Sequence, residues 1–194
     1  MSDEVSTAFV GDSITAGGRW EEWFPDERPR NLGVGGDTSD AVLARLDEVI
    51  ALTPDTVALL IGTNDLAWRR SAEHIVRNIE TILVSLRKAL PGAQLLVQSV
   101  MPREAAYADT IRDVNRHLWQ FASTVRAEYL DLWPAMATAD GSIDPQFSDD
   151  SLHLNERGYE VWVGELRGAL ESLHNLPPAS RPILIPRDHP HHRR

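Results

Sequence analysis

The run Thr56-Val57-Ala58-Leu59-Leu60-Ile61 is short, continuously apolar, and opens directly into Gly62-Thr63-Asn64-Asp65. A strand with no polar alternation must be covered on both faces, which is the signature of a central strand in a parallel sheet. The same pattern recurs. Ala8-Phe9-Val10 runs into the glycine-flanked turn Gly11-Asp12-Ser13, Gln94–Val100 into Met101-Pro102-Arg103, and Tyr129-Leu130-Asp131-Leu132 forms a last short strand. Between them the apolar residues change to helical spacing. Val42, Leu43, Leu46, Val49 and Ile50 form one stripe, ended by Thr53-Pro54-Asp55. Ile75, Ile79, Ile82, Leu83, Leu86 and Leu90 form a second, and Ile111, Val114, Leu118, Phe121 and Val125 a third. Tyr159, Trp162, Leu166, Leu170 and Leu173 form a fourth, with Asn155 as the predicted N-cap of its helix. Arg19-Trp20-Glu21-Glu22-Trp23-Phe24 reads as a short helix stopped by Pro25. Strands alternating with helices give an α/β fold: a parallel sheet, right-handed crossovers and helices on both faces.

A chain of 194 residues is about one domain. The expected domain runs over residues 1–174. Residues 175–194 shift to Pro, Arg and His and read as a tail, either disordered or draped over the surface through Ile183, Leu184 and Ile185, whose His189, His191 and His192 suit a solvated terminus better than a metal site. A net charge of −10 argues against nucleic acid or an anionic membrane as main partner, since both need clustered cations. No apolar run approaches the ~20 residues of a membrane span. The acidic start Met1-Ser2-Asp3-Glu4 carries no signal-peptide core, so a cytoplasmic protein is expected, a leader already removed staying open. The absence of cysteine excludes disulfides, thiolate catalysis and Cys-type zinc sites. Composition sets no oligomeric state.

Four polar turns lie at strand exits or helix entrances, where open α/β sheets place their ligands. They supply Ser13, Gly36, Asn64 and the pair Asp150/His153. The plain use of the first turn is capping, with Asp12 or Ser13 holding the next helix. The chemical use needs a base, because a serine hydroxyl is a weak nucleophile until its proton is taken. His153 can take it near neutral pH, and Asp150 can fix the imidazole tautomer. The amides of Ser13 and Gly36 and the Asn64 side chain would serve an oxyanion. Asn31–Ser39 looks superficially like a phosphate cradle, but it lacks a P-loop lysine and its G-x-G-G is not G-x-G-x-x-G. Asp149 competes with Asp150 for the carboxylate role, the D-x-x-H spacing favouring Asp150. Asp149, Asp150 and His153 as metal ligands are the weaker alternative, and neither metal nor cofactor is expected. Asp12 and Asp65 read as turn-holding residues, while His74 and His117 read as surface residues without partners. Trp20, Trp23 and Trp68 are candidate walls of a substrate pocket, with core or rim packing the competing use of Trp20 and Trp23.

These blocks resemble the SGNH (GDSL-type) hydrolase family. They stand as Gly11-Asp12-Ser13, Asn31-x-Gly33-x-x-Gly36-x-Thr38, Gly62-x-Asn64-Asp65 and Asp150-x-x-His153, in order from residue 11 to 153. Asn31–Leu46 and Val97–Arg103 look most like the small platelet-activating-factor acetylhydrolase-type branch. The resemblance implies a flavodoxin-like three-layer α/β/α sandwich with a five-stranded parallel sheet. It also implies Ser13 as nucleophile, His153 as base, Asp150 as orienting carboxylate, and Ser13, Gly36 and Asn64 as oxyanion donors. The G-x-S-x-G elbow of α/β-hydrolases is absent, since Gly11-Asp12-Ser13-Ile14-Thr15 lacks its second glycine. The function so implied is hydrolysis of short-chain carboxylic esters of small molecules through an acyl-enzyme. A thioesterase or carbohydrate acetyl esterase of the same fold is the alternative, and a catalytically silent binding protein the alternative of another class.

Overall fold

The computed structural model describes residues 6–176. Five parallel strands form one sheet in the order β2-β1-β3-β4-β5: β1 Thr7–Gly11, β2 Arg30–Gly33, β3 Thr56–Leu60, β4 Gln94–Gln98 and β5 Ala127–Leu130. The helices are α1 Ser13–Ala16, α2 Trp20–Trp23, α3 Ser39–Ala44, α4 Leu46–Ala51, α5 Thr63–Ala67, α6 Ala72–Ala89, α7 Ala108–Ala122, α8 Trp133–Met136 and α9 Glu156–His174. The chain leaves β1 for β2 on one side and returns to β3 on the other, so the sheet reverses its winding between β1 and β3. Ligand crevices of such sheets open at the carboxyl ends of the strands flanking that point.

The core explains the layers. Side chains alternate across a strand, and the three central strands sort accordingly. Ala8, Val10, Val57, Leu59, Leu95 and Val97 pack with α3, α4, α6 and α7. Phe9, Ala58, Leu60 and Leu96 pack instead with α2 and α9. The second layer is centred on Trp20, stacked face to face on Phe9 at 4.0 Å between ring centroids and edge-on to Trp162 at 5.2 Å. Trp162 meets its polar requirement by donating from Nε1 to Gln98 Oε1 at 2.7 Å. Burying each such large side chain stabilises the fold by roughly 2–3 kcal/mol. The Asn155 side chain accepts from the Gly158 amide and starts α9 as expected.

Several elements differ from the sequence reading. Asn31–Gly33, the start of the glycine-rich Asn31–Ser39 segment, lies in the edge strand β2; exposed at Arg30 and Asn31, the strand needs no apolar run. The helix expected across Val42–Ile50 is broken at Arg45 into α3 and α4. The last strand begins at Ala127, two residues before the expected Tyr129. Residues 177–194, and with them the histidines of the tail, lie outside the described residues.

Candidate active site

Gly11 closes β1 where no side chain fits: a Cβ there would stand 2.2 Å from Thr15 Oγ1 and 2.3 Å from the Leu60 carbonyl oxygen. The chain then turns at Asp12, whose Oδ1 accepts from the Ile14 amide at 2.9 Å and caps α1. That cap sets Ser13 as the first residue of the helix, partly exposed at the end of β1. The Asp12 carboxyl is buried, and burial pushes it up to about 6 against the pull of the Ile14 amide and His153. Its turn-holding role is as the sequence suggested.

The Gly36 turn is drawn onto the exit of β1. Val34 donates its amide to the Gly11 carbonyl oxygen at 3.0 Å, and Asn31 donates through Nδ2 to Ala16 O at 3.0 Å. Gly36 has φ +83°, a left-handed conformation that glycine adopts without strain. Thr38 then caps α3 through the Ala41 amide. On the other side of β1, Gly62 (φ +130°) turns the chain from β3 into α5, whose second residue is Asn64. Asn64 Nδ2 donates to the Asp37 carbonyl oxygen at 2.9 Å, which joins the α5 turn to the Gly36 turn. Asp65 is fully buried and accepts from the Ser39 amide at 2.8 Å and from Ser39 Oγ at 2.6 Å. Burial raises its carboxyl above the ordinary range.

The fourth turn reaches across from the start of α9. Asp150 Oδ1 accepts from the Leu152 amide at 2.9 Å and the His153 amide at 2.7 Å, while Oδ2 lies 2.8 Å from His153 Nδ1. His153 Nε2 lies 3.1 Å from Ser13 Oγ. With the ring proton on Nδ1, Nε2 is left as the acceptor for the serine hydroxyl. The His153 ring above all, with the His153 and Leu152 amides, holds the Asp150 carboxyl well below the usual range against the opposing effect of burial. Both side chains of the pair are about half exposed, at 52 % and 54 %. Tyr159 Oη donates to Ile14 O at 2.8 Å and ties α9 to the helix that carries Ser13.

The structure therefore brings together Ser13, His153 and Asp150, and places Gly36 and Asn64 on linked turns beside them. Asp149 makes no bond to the ring. The tryptophans divide. Trp20 is a core residue: it is fully buried, with Phe9 on the face of its ring and Trp162 at its edge. Trp23 is half-buried against Tyr159 and borders a shallow cavity of about 280 Å³ with Arg19, Glu156, Tyr159, Val163 and Arg167. Trp68 ends α5 with 71 % of its surface exposed, its amide donating to the Asn64 carbonyl oxygen at 3.1 Å. His74 is not without a partner: its Nε2 lies 2.9 Å from Asp40 Oδ2, and Asn78 Nδ2 bonds both Asp40 and the ring. His74, Asp40 and Asp65 approach one another within 4.8 Å, and Asn78 Nδ2 bonds the first two of them. His117 Nδ1 lies 2.8 Å from Asp113 O. Arg45 and Asp37, which fasten the site turns from behind, were missed by sequence reasoning; a lone arginine interrupting an apolar helical stripe was the available signal.

Residues 9–161 match the model of the GDSL-like Lipase/Acylhydrolase family. The chain belongs to that family. This GDSL-family protein is 30 % identical over 167 residues to the platelet-activating factor acetylhydrolase IB subunit alpha1 of Rattus norvegicus, covering 80 % of this chain and 71 % of the relative. The Homo sapiens subunit alpha1 matches at the same identity and coverage. Among solved structures, a GDSL-like lipase from Bacteroides thetaiotaomicron superposes with a TM-score of 0.79 at 23 % identity, over 89 % of this chain and 90 % of that one. A variant of a Geobacillus acetyl-xylooligosaccharide esterase superposes with a TM-score of 0.70 at 20 % identity, over 91 % and 97 %. This GDSL-family chain is a hydrolase acting on esters. Among the described residues no helix is long and apolar enough to cross a membrane.

Proposed function

We propose that the protein is a serine esterase that hydrolyses short-chain carboxylic esters through an acyl-enzyme. The observation that carries this reading is the relay Ser13 Oγ–His153 Nε2 at 3.1 Å and His153 Nδ1–Asp150 Oδ2 at 2.8 Å. In the first step Ser13 Oγ attacks the ester carbonyl carbon and its proton passes to Nε2. The charge that forms on the ring faces an already ionised Asp150. The oxyanion is met by the amides of Ser13 and Gly36 and by Asn64, whose Nδ2 has a second hydrogen beyond the one given to Asp37. Neither amide donates to another group among the described residues. Collapse breaks the bond to the alcohol oxygen, which takes the proton from His153. Water then repeats the sequence on the acyl-serine and releases the acid.

Short acyl groups suit a site whose His153 and Asp150 side chains stand half in solvent. The platelet-activating factor acetylhydrolase relatives act, by their name, on an acetyl ester, which supports the same size here. The test is a panel of acetyl, butyryl and octanoyl esters, the matching thioesters and acetylated xylo-oligosaccharides, run against wild type and Ser13→Ala. Turnover should be highest on acetyl esters and absent in the variant. Full turnover by Ser13→Ala would remove the nucleophile from this reading, and preference for octanoyl esters would remove the short-acyl part.

A further inference from the structure

The Gly36 turn carries one of the proposed oxyanion donors, yet packing does not hold it. A Cβ at Gly35 or Gly36 would meet nothing within 4 Å. A glycine pair in open space is the most mobile kind of backbone, so the turn must be fixed through hydrogen bonds from behind. Arg45 supplies them. Its Nε donates to Asp37 Oδ2 at 2.7 Å, and its Nη2 donates to Leu32 O at 2.8 Å and to Gly11 O at 3.2 Å. Gly11 and Leu32 stand at the ends of β1 and β2, just before the Ser13 and Gly36 turns. Asp37 follows Gly36, and its carbonyl oxygen receives the Asn64 side chain at 2.9 Å. The Arg45 and Asp37 side chains are only 14 % and 12 % exposed, so solvent competes weakly for the pair. The break between α3 and α4 falls at this arginine.

We propose that Arg45 is a positioning residue for ester hydrolysis: through Asp37 it holds Gly36 and Asn64 in register with Ser13. It touches none of the reacting groups. The inference rests on the oxyanion reading of Gly36 and Asn64 given above. Arginine suits the task because its planar fork bonds in several fixed directions, whereas a lysine could keep the charge at Asp37 but not both strand carbonyls.

Arg45→Lys and Asp37→Asn are assayed on an acetyl ester, each melted in parallel, with Ser13→Ala alongside. Misplaced oxyanion donors lower the chemical step and leave ground-state binding alone, so kcat should fall about 10- to 100-fold with KM within about threefold of wild type. In an Asn64→Ala background the Arg45→Lys loss should shrink several-fold, because one of the two donors it steadies is gone. A kcat within about twofold of wild type, or an equal loss in both backgrounds, overturns the proposal. Should Arg45→Lys fail to fold, Asp37→Asn decides by the same criteria. Turnover retained by Ser13→Ala would instead sink the underlying site reading, whatever the Arg45 result.

Discussion

Asp150 holds His153 at two points, with Oδ2 2.8 Å from the ring Nδ1 and Oδ1 accepting the His153 backbone amide at 2.7 Å. One carboxylate so contacts both the imidazole and the backbone of the loop that carries it, on a surface where neither side chain is buried. Asp150→Asn should therefore lower kcat by about 10³–10⁴-fold through the wrong tautomer, with little change in melting temperature because the pair is exposed. Asp149→Asn should stay near wild type. Equal losses from the two substitutions would show that Asp150 does not act alone.

Asn64→Ala should lower kcat by about 10²–10³-fold, the usual cost of one oxyanion donor. Steady-state kinetics on an acetyl ester reads this directly. A rise in KM with unchanged kcat would place Asn64 in substrate binding instead.

Asp12 gives a pH dependence of stability whose sign follows from burial. Its carboxyl is raised from 3.8 to about 6 in the fold, so the folded state holds the proton more tightly than the unfolded chain. The stability this contributes is fully present below pH 3.8 and is lost as pH rises through about 6. Asp12→Asn keeps an oxygen for the Ile14 amide and removes the ionisation. Relative to that variant, the wild type should lose unfolding free energy between pH 4 and 7.5, by an amount on the order of 3 kcal/mol or less, read by denaturant unfolding at each pH. A difference that stays constant with pH would contradict the buried, raised carboxyl.

The tryptophans test the division between core and surface. Trp20→Ala removes a fully buried ring stacked on Phe9 and should cost about 3–5 kcal/mol in denaturant unfolding. Trp68→Ala, at an exposed position, should change stability by about 0.5 kcal/mol or less. Similar costs at both positions would contradict the packing described.

The sheet was legible where strands are covered on both faces, because burial forces an unbroken apolar run such as Val57–Ile61. It was not legible at β2, where edge position lets Arg30 and Asn31 face solvent and erases the signal. The grouping of Ser13 with the Asp150/His153 loop was legible for a different reason: strand exits concentrate chemistry, and these turns carry the residue types that proton transfer would need. Trp20 stayed open between core and pocket wall in the sequence because an aromatic three residues from a second one reads alike as either, and the structure settles it as core. Arg45 escaped because two of its three partners are the backbone carbonyls of Gly11 and Leu32, which any sequence could supply. The Asp40–His74 contact joins residues 34 positions apart, a proximity that only the packing of α3 on α6 creates.

The most direct test of the Ser13–His153–Asp150 relay is covalent. The protein is treated with a fluorophosphonate, residual hydrolysis of an acetyl ester is followed, and the labelled peptide is identified by mass spectrometry. The expected result is one adduct per chain, on Ser13, formed in step with loss of activity and absent in Ser13→Ala. An adduct on another residue, or full activity in a chain labelled at Ser13, would contradict it.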